Sequence, residues 1–342
     1  MNSAASRVLG VLRSREMGIL LAFLLVVVLG TLKNPTFVFS KDGWHDLLIT
    51  PSILLVVAVG QAIVIITRNV DLSVGSMLGL TAYLAGTIFV KYPSIPWQLV
   101  FLIGLAFGGF LGLINGALVG YGKVPAMVIT LGTLYAYRGI NVAWTGSNRI
   151  NADQIPQGLQ AVGNNSILGI PILTIIALVI LLVAAWYMRN MRSGREMYAI
   201  GSDPDAAELY GLAKRRRVIT AFVVSGAMSG LAGVLYTARY ATINSQAGYG
   251  FELDAIGAAV IGGVAIVGGS GTVVGAAIGA FLLYTINRAL PVIGIPDFWQ
   301  KAVVGALILG AIVLDRVLAV RQSRKLRETK VETTNETKEV AA

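Results

Sequence analysis

Residues 189–217 read RNMRSGREMYAIGSDPDAAELYGLAKRRR, a polar stretch between two long apolar halves. Seven of these residues are Lys or Arg. So dense a charge is excluded from hydrocarbon, and the segment divides the chain into two membrane-embedded parts. Its inner part, Asp203 to Gly211, has the composition of a short surface helix: Asp203 to cap, Pro204 at the first helical position, acids in the first turn and Gly211 after the last. A helix of about two turns is marginal alone in water, so it gains order by docking, and Ala206, Leu209 and Tyr210 at i, i+3 and i+4 supply an apolar face. The competing reading of the same residues is a basic, partly helical segment that lies on lipid headgroups.

Working outward, the 342 residues are 56% hydrophobic and 13% charged, with 40 glycines and a mean hydropathy of +0.75. This is too apolar for a soluble chain of that size and indicates an integral membrane protein. Cysteine is absent, which removes disulfide, thiol and Cys-metal chemistry. A net charge of +10 raises the question of nucleic acid. Position excludes that partner, because the basic residues flank apolar runs, where they set orientation and meet anionic membrane lipid. At the N-terminus, Arg7, Arg13 and Arg15 precede the apolar run Met17–Leu32, a pattern shared with secretory signals. No small-residue cleavage site precedes Lys33-Asn34-Pro35, so the run reads as a retained first transmembrane helix.

A helix needs about 20 largely apolar residues to cross the hydrocarbon core. Ten runs qualify: 17–32, 48–66, 72–90, 98–120, 126–144, 167–188, 218–238, 254–268, 271–290 and 298–315. The fold class is therefore an all-α polytopic membrane protein. Residues 1–316 form a transmembrane domain with the loop 189–217 at its centre, and residues 317–342 form a polar cytoplasmic tail. The eighth run is short and glycine-rich, and only Gly268-Gly269-Ser270-Gly271 part it from the ninth, so residues 254–290 form either two full spans or a broken, re-entrant pair. With both termini and the central loop cytoplasmic, 19 of 27 basic residues fall on the cytoplasmic side and seven on the other, as the positive-inside rule requires. That topology gives the halves opposite orientations, the arrangement of an inverted repeat. Asp71-Leu72-Ser73-Val74-Gly75 and Asp254-Ala255-Ile256-Gly257 each put an acid before small residues at a helix start.

Gly104, Gly108, Gly112, Gly116 and Gly120 lay a flat stripe along the fourth run, and Gly271, Gly275 and Gly279 repeat the spacing in the ninth. Such stripes serve close helix packing. Polar groups within the spans are few. Arg138 stands out, as an anchor of the fifth helix or the partner of a neighbour, and Asn115, Thr130, Thr133, Tyr135 and Asn141 supply hydrogen bonds either along a translocation path or between helices. Asp71 or Ser73 caps the third helix, with Arg68 placed to pair with Asp71 at the cytoplasmic edge. Gly268-Gly269-Ser270-Gly271-Thr272 lacks the lysine of a phosphate loop, so this chain does not bind ATP by that motif. His45 is the only histidine, and no HExxH or GxSxG occurs, so no catalytic or metal-binding residues are assigned.

Three ordered runs, Asp71-Leu72-Ser73-Val74-Gly75, the central loop (Ser193-Gly194-Arg195, Tyr198-Ala199-Ile200-Gly201, Asp205-Ala206-Ala207, Tyr210-Gly211-Leu212) and Gly262 to Thr272, resemble the permease subunits of ABC importers for ribose, xylose, rhamnose and autoinducer-2. The resemblance spans roughly residues 45–316. It implies a bacterial inner-membrane permease that pairs with a second permease, accepts substrate from an extracytoplasmic sugar-binding protein and docks on cytoplasmic ATP-binding subunits. ATP and Mg belong to those subunits and no cofactor to this chain. It further implies that Gly194, Arg195, Tyr198, Gly201, Asp205, Ala206, Ala207, Leu209, Tyr210 and Gly211 couple to the ATPase. The alternative is an ion-coupled secondary transporter of a small polar solute, which predicts acidic coupling residues at mid-bilayer; Glu252 and Asp254 read as lying at a membrane edge. A membrane-embedded enzyme has no motif in its favour.

Overall fold

The computed structural model describes residues 15–306 apart from residue 123, together with residues 309, 310 and 313. The chain runs through α1 (Arg15–Lys33), α2 (Thr36–Phe39), α3 (Lys41–Ile66), α4 (Val74–Lys91), α5 (Leu99–Gly122) and α6 (Ala126–Thr145). A short helix α7 (Gln157–Asn164) and a two-residue hairpin, β1 (Ser166–Ile167) with β2 (Ile170–Pro171), lead into α8 (Ile172–Asn190). The central loop folds as α9 (Arg192–Ser202) and α10 (Pro204–Leu209), and α11 (Lys214–Tyr240), α12 (Phe251–Ile261) and α13 (Val273–Val292) follow. The surface carrying α9 and α10 is called the loop face below, and the opposite one the far face.

Among the described residues seven helices, α1, α3, α4, α5, α8, α11 and α13, are long and apolar enough to cross a membrane. The 20 residues of α6 give it about 30 Å, also a spanning length, and its lower hydropathy comes from Thr130, Thr133, Tyr135, Arg138 and Asn141. The ten-span count needs one correction. With 11 residues, or about 16 Å, α12 reaches only halfway through a hydrocarbon core. It ends in the turn 262–272, where Gly263, Gly268, Gly269 and Gly271 adopt positive φ (84°, 85°, 73° and 107°), a conformation open to glycine and closed to most other residues. Residues 254–290 are thus a broken pair. Of the last predicted span, residues 300–306, 309, 310 and 313 are helical, and the remainder lies outside the described residues, as does the tail 317–342.

At the centre stands α3, apolar on every side, with 94% of its spanning window buried beneath α8, α11, α12 and α13. Only 6% of the α1 window is buried, so α1 is peripheral. Among the described helices, α5 and α11 share the most extensive contact, and the structure places the α5 glycines there. A methyl group added at Gly108 would strike the Gly226 carbonyl, one at Gly112 the Phe222 carbonyl, and one at Gly116 would lie 2.9 Å from Ile219 Cα. In the α12–α13 hairpin, Gly275 and Gly279 abut the carbonyls of Gly262 and Ala258.

Candidate coupling and translocation sites

The loop face is built by helix-end chemistry. Asp203 caps α10, its carboxylate accepting from the N–H groups of Asp205 (3.1 Å) and Ala206 (3.0 Å), and Gly211 leaves the helix at φ +75°. Leu209 and Tyr210 are 90% and 86% exposed, an apolar tip that touches little of its own chain. Ala207, by contrast, is buried within the chain, on the side of α10 away from that tip.

The upstream part of the segment is helical too, a feature its glycines hide in the sequence. These glycines lie inside the fold: added methyl groups would strike Met188 and Tyr187 backbone at Gly194, and the Ile66 carbonyl at Gly201. The N–H of Gly269 donates to the Ile66 carbonyl at 3.0 Å, and the Tyr198 hydroxyl donates to the Gly271 carbonyl at 3.0 Å. Main-chain contacts therefore join α9, the end of α3 and the turn before α13. Arg195 donates to the Asn190 carbonyl (2.9 Å) at the surface, and Asp205 is exposed.

Glu196, which the sequence reading passed over, ties α9 to α11. Its two oxygens accept from Arg217 Nε (2.6 Å) and Arg192 Nε (2.7 Å). The Arg192–Glu196 spacing of four was the available signal. These bonds, Arg217's first, hold the Glu196 carboxyl below the usual carboxylate range. A depressed carboxyl contributes stability that is fully present above its unfolded value, about 4.3, and is lost as pH falls through its lower folded value. The thermal midpoint of the purified protein should therefore fall on acidification below about pH 4, and Glu196→Gln should flatten that part of the profile; an unchanged slope in the variant would show that the pair contributes nothing.

After α3 the chain turns back into the interior. Arg68 adopts φ +66°, and Asp71 comes to lie beside Gln61, whose amide pairs with the Asp71 N–H (3.3 Å) and carbonyl (3.1 Å), about 7 Å inside the end of α3. Asp71 Oδ1 accepts from the Ser73 N–H (2.9 Å) and hydroxyl (2.6 Å), and Asn115 donates to Ser73 Oγ at 2.7 Å. The predicted Arg68–Asp71 ion pair does not form: Asp71 is wholly buried, whereas Arg68 is exposed. Thr130 donates to the Val70 carbonyl (3.1 Å), and the Tyr137 hydroxyl to that of Leu111 (3.1 Å).

From the far face, residues 241–250 dip inward to meet the first turns of α4. Arg138 donates to the carbonyls of Ala247 (2.8 Å) and Gly248 (3.3 Å) and faces the Tyr249 ring, and Asn141 donates to the Ser245 carbonyl at 3.3 Å. The N-termini of α4 and α12 thus converge, and a methyl group at Gly75 would strike the Glu252 carboxylate. Glu252 therefore lies inside, not at a membrane edge. Asp71 Oδ2, Asn141 Oδ1 and Glu252 Oε2 are buried without a hydrogen-bond partner. The predicted path residues fall into two groups, Asn115 and Thr130 beside the turn after α3 and Arg138 with Asn141 beside residues 245–248, while Thr133 donates to the Thr130 carbonyl of its own helix and Tyr135 is exposed on the outer side of α6.

Residues 44–312 match the family described as branched-chain amino acid transport system / permease component. The chain is 35% identical over 319 residues to the autoinducer 2 import system permease protein LsrC of Enterobacter sp. (strain 638), covering 93% of this chain and 92% of the relative. It is 39% identical over 278 residues to the protein of that name from Salmonella choleraesuis (strain SC-B67), covering 81% and 79% respectively. No solved structure matches the chain. A bundle of membrane-length helices, a capped helical loop between its halves and a match over most of its length together establish that this chain belongs to the branched-chain amino acid transport system permease family.

Proposed function

We propose that the chain is the membrane-spanning permease subunit of an ATP-driven importer of the bacterial inner membrane, carrying a small sugar-like solute of the autoinducer-2 type. The observation that carries this reading is the exposed Leu209–Tyr210 tip on a capped helix that is joined through backbone contacts to the membrane core. A membrane-surface loop has no need of that connection. The names of the relatives support the substrate class. The distribution of Lys and Arg supports a cytoplasmic loop face and cytoplasmic termini.

In this reading the tip seats on a cytoplasmic ATP-binding subunit, where ATP and Mg act, and a binding protein delivers solute at the far face. The permease conducts and does not catalyse. Movement of α10 passes through α9 to the end of α3 and to the turn 262–272, and so to the meeting point of α4 and α12, where two packings alternate. A second permease covers the outer side of α6 beyond its first turn, on which Leu131, Tyr135 and Ile140 are exposed and Gly132 and Gly139 have open space.

Leu209→Arg tests the reading, since residue 209 bears on nothing inside the chain. In the reconstituted complex it should abolish solute-stimulated ATP hydrolysis while the permease stays folded; undiminished stimulation would return the segment to the headgroup surface. Buried Asp71 and the enclosed Oε2 of half-buried Glu252 favour a second reading, ion-coupled transport. That reading predicts solute uptake into vesicles holding the permease alone, driven by a proton or sodium gradient.

A further inference from the structure

On the loop face a cavity of about 1230 Å³ opens between the turn after α3, the adjoining ends of α5, α6 and α11, and α10. Its wall combines cations with apolar side chains. Arg68, Lys214, Arg215 and Arg216 belong to it, with Glu208 as the only carboxylate among the described lining residues. Lys214 lies 3.8 Å from Glu208; among the described residues Arg68, Arg215 and Arg216 have no carboxylate within ion-pair distance. The Arg215 guanidinium lies over the Tyr121 ring, 4.6 Å from its centre, at the cavity edge. Lys214, Arg215 and Arg216 form the first turn of α11, a helix of 27 residues whose N-terminus adds partial positive charge.

Val119, Val124, Ala126 and Met127 line it as well, and Tyr121, Val124, Met127 and Val128 carry apolar surface outward from it. A free inorganic anion gains nothing from such a wall. A cationic recess joined to exposed apolar surface at the end of membrane-spanning helices has the chemistry of an anionic lipid site. We propose that this cavity binds the headgroup of an anionic phospholipid, its phosphate among Arg68, Arg215 and Arg216 and its acyl chains along Val124, Met127 and Val128. The bound lipid bridges the turn after α3 to α11 beside α10, so its occupancy governs how freely those parts move. The proposal needs headgroups only at the loop face, which hold in either orientation, and it stands apart from the identity of the transported solute.

The test uses the full-length protein in nanodiscs of mixed phosphatidylglycerol and phosphatidylcholine, with retained lipid read by native mass spectrometry after transfer to detergent. The wild type should retain phosphatidylglycerol in preference to phosphatidylcholine. Each basic residue near an anionic surface contributes about five-fold, so Arg215→Gln with Arg216→Gln should weaken retention at least about ten-fold. Arg189→Gln with Arg195→Gln removes the same charge from the same face outside the cavity and should leave retention unchanged; all four side chains are exposed, so both proteins fold. Equal loss in the two variants would reduce the effect to general surface charge and overturn the site. Displacement of the lipid by inorganic phosphate would overturn it too, in favour of a free-anion pocket.

Discussion

Gly112→Leu should yield no folded permease, although it makes α5 more apolar and so favours membrane insertion. Even the first carbon of the new side chain would strike the Phe222 carbonyl and lie 3.0 Å from Gly226 Cα, both backbone of α11. No side-chain rotation relieves a clash with main chain, so the helices must part. Parting them at Gly112 also loosens the contacts at Gly108 and Gly116, and the damage exceeds that of one overpacked site, ordinarily ~1–3 kcal/mol. Gly112→Ala should show a lowered thermal midpoint in detergent by fluorescence-detected size exclusion. Gly109→Ala is the control: its nearest neighbour, Ala227 Cβ, would be 3.7 Å away, an ordinary contact. Equal midpoints for the two alanine variants would show that close backbone approach does not hold the bundle together.

Asp71→Leu should release the re-entrant turn, whereas Asp71→Asn should keep it. The leucine has no acceptor for the Ser73 N–H and hydroxyl, buried donors whose loss of a partner costs ~1–3 kcal/mol each. Asparagine retains one acceptor oxygen at that place, and the second oxygen it replaces is already without a partner. Since the chain has no cysteine, Val70→Cys gives a single reporter beside the turn, buried in the wild type. A hydrophilic maleimide should label it slowly in the parent and in Asp71→Asn, and rapidly in Asp71→Leu. Slow labelling throughout would mean that the turn is held by something other than the Asp71 carboxylate.

Local chemistry was legible in the sequence wherever it is sufficient by itself. Asp203 and Pro204 announce a helix start in any surroundings, and a glycine every fourth residue announces a helix with a flat side. Identifying α11 as the partner of that side requires the fold, because Gly226 and Gly230 lie more than a hundred residues further on. The depth of Asp71 was hidden for a related reason. An aspartate that accepts from the N–H two residues on does so equally in water and in a protein interior, so the run Asp71 to Gly75 reads as an ordinary surface cap. Helix α9 was missed because Gly194 and Gly201 disfavour a helix in isolation, while close contact with α8 and the end of α3 demands them. Arg138 was recognised as exceptional, but its acceptors, the carbonyls of Ala247 and Gly248, carry no side-chain signal.

The burial of α3 also bears on how the protein is made. Its partners α11 and α13 leave the ribosome long after it does, so the most enclosed helix of the mature bundle must first wait in lipid. An apolar surface on every side lets it do so without exposing a charge to acyl chains. The re-entrant turn has no such freedom, since Asp71 reaches its shelter only when Ser73 and Asn115 are in place. Biogenesis therefore has a natural order: the central helix enters first as a free-standing span, and the chain behind it is drawn inward as the later helices close around it.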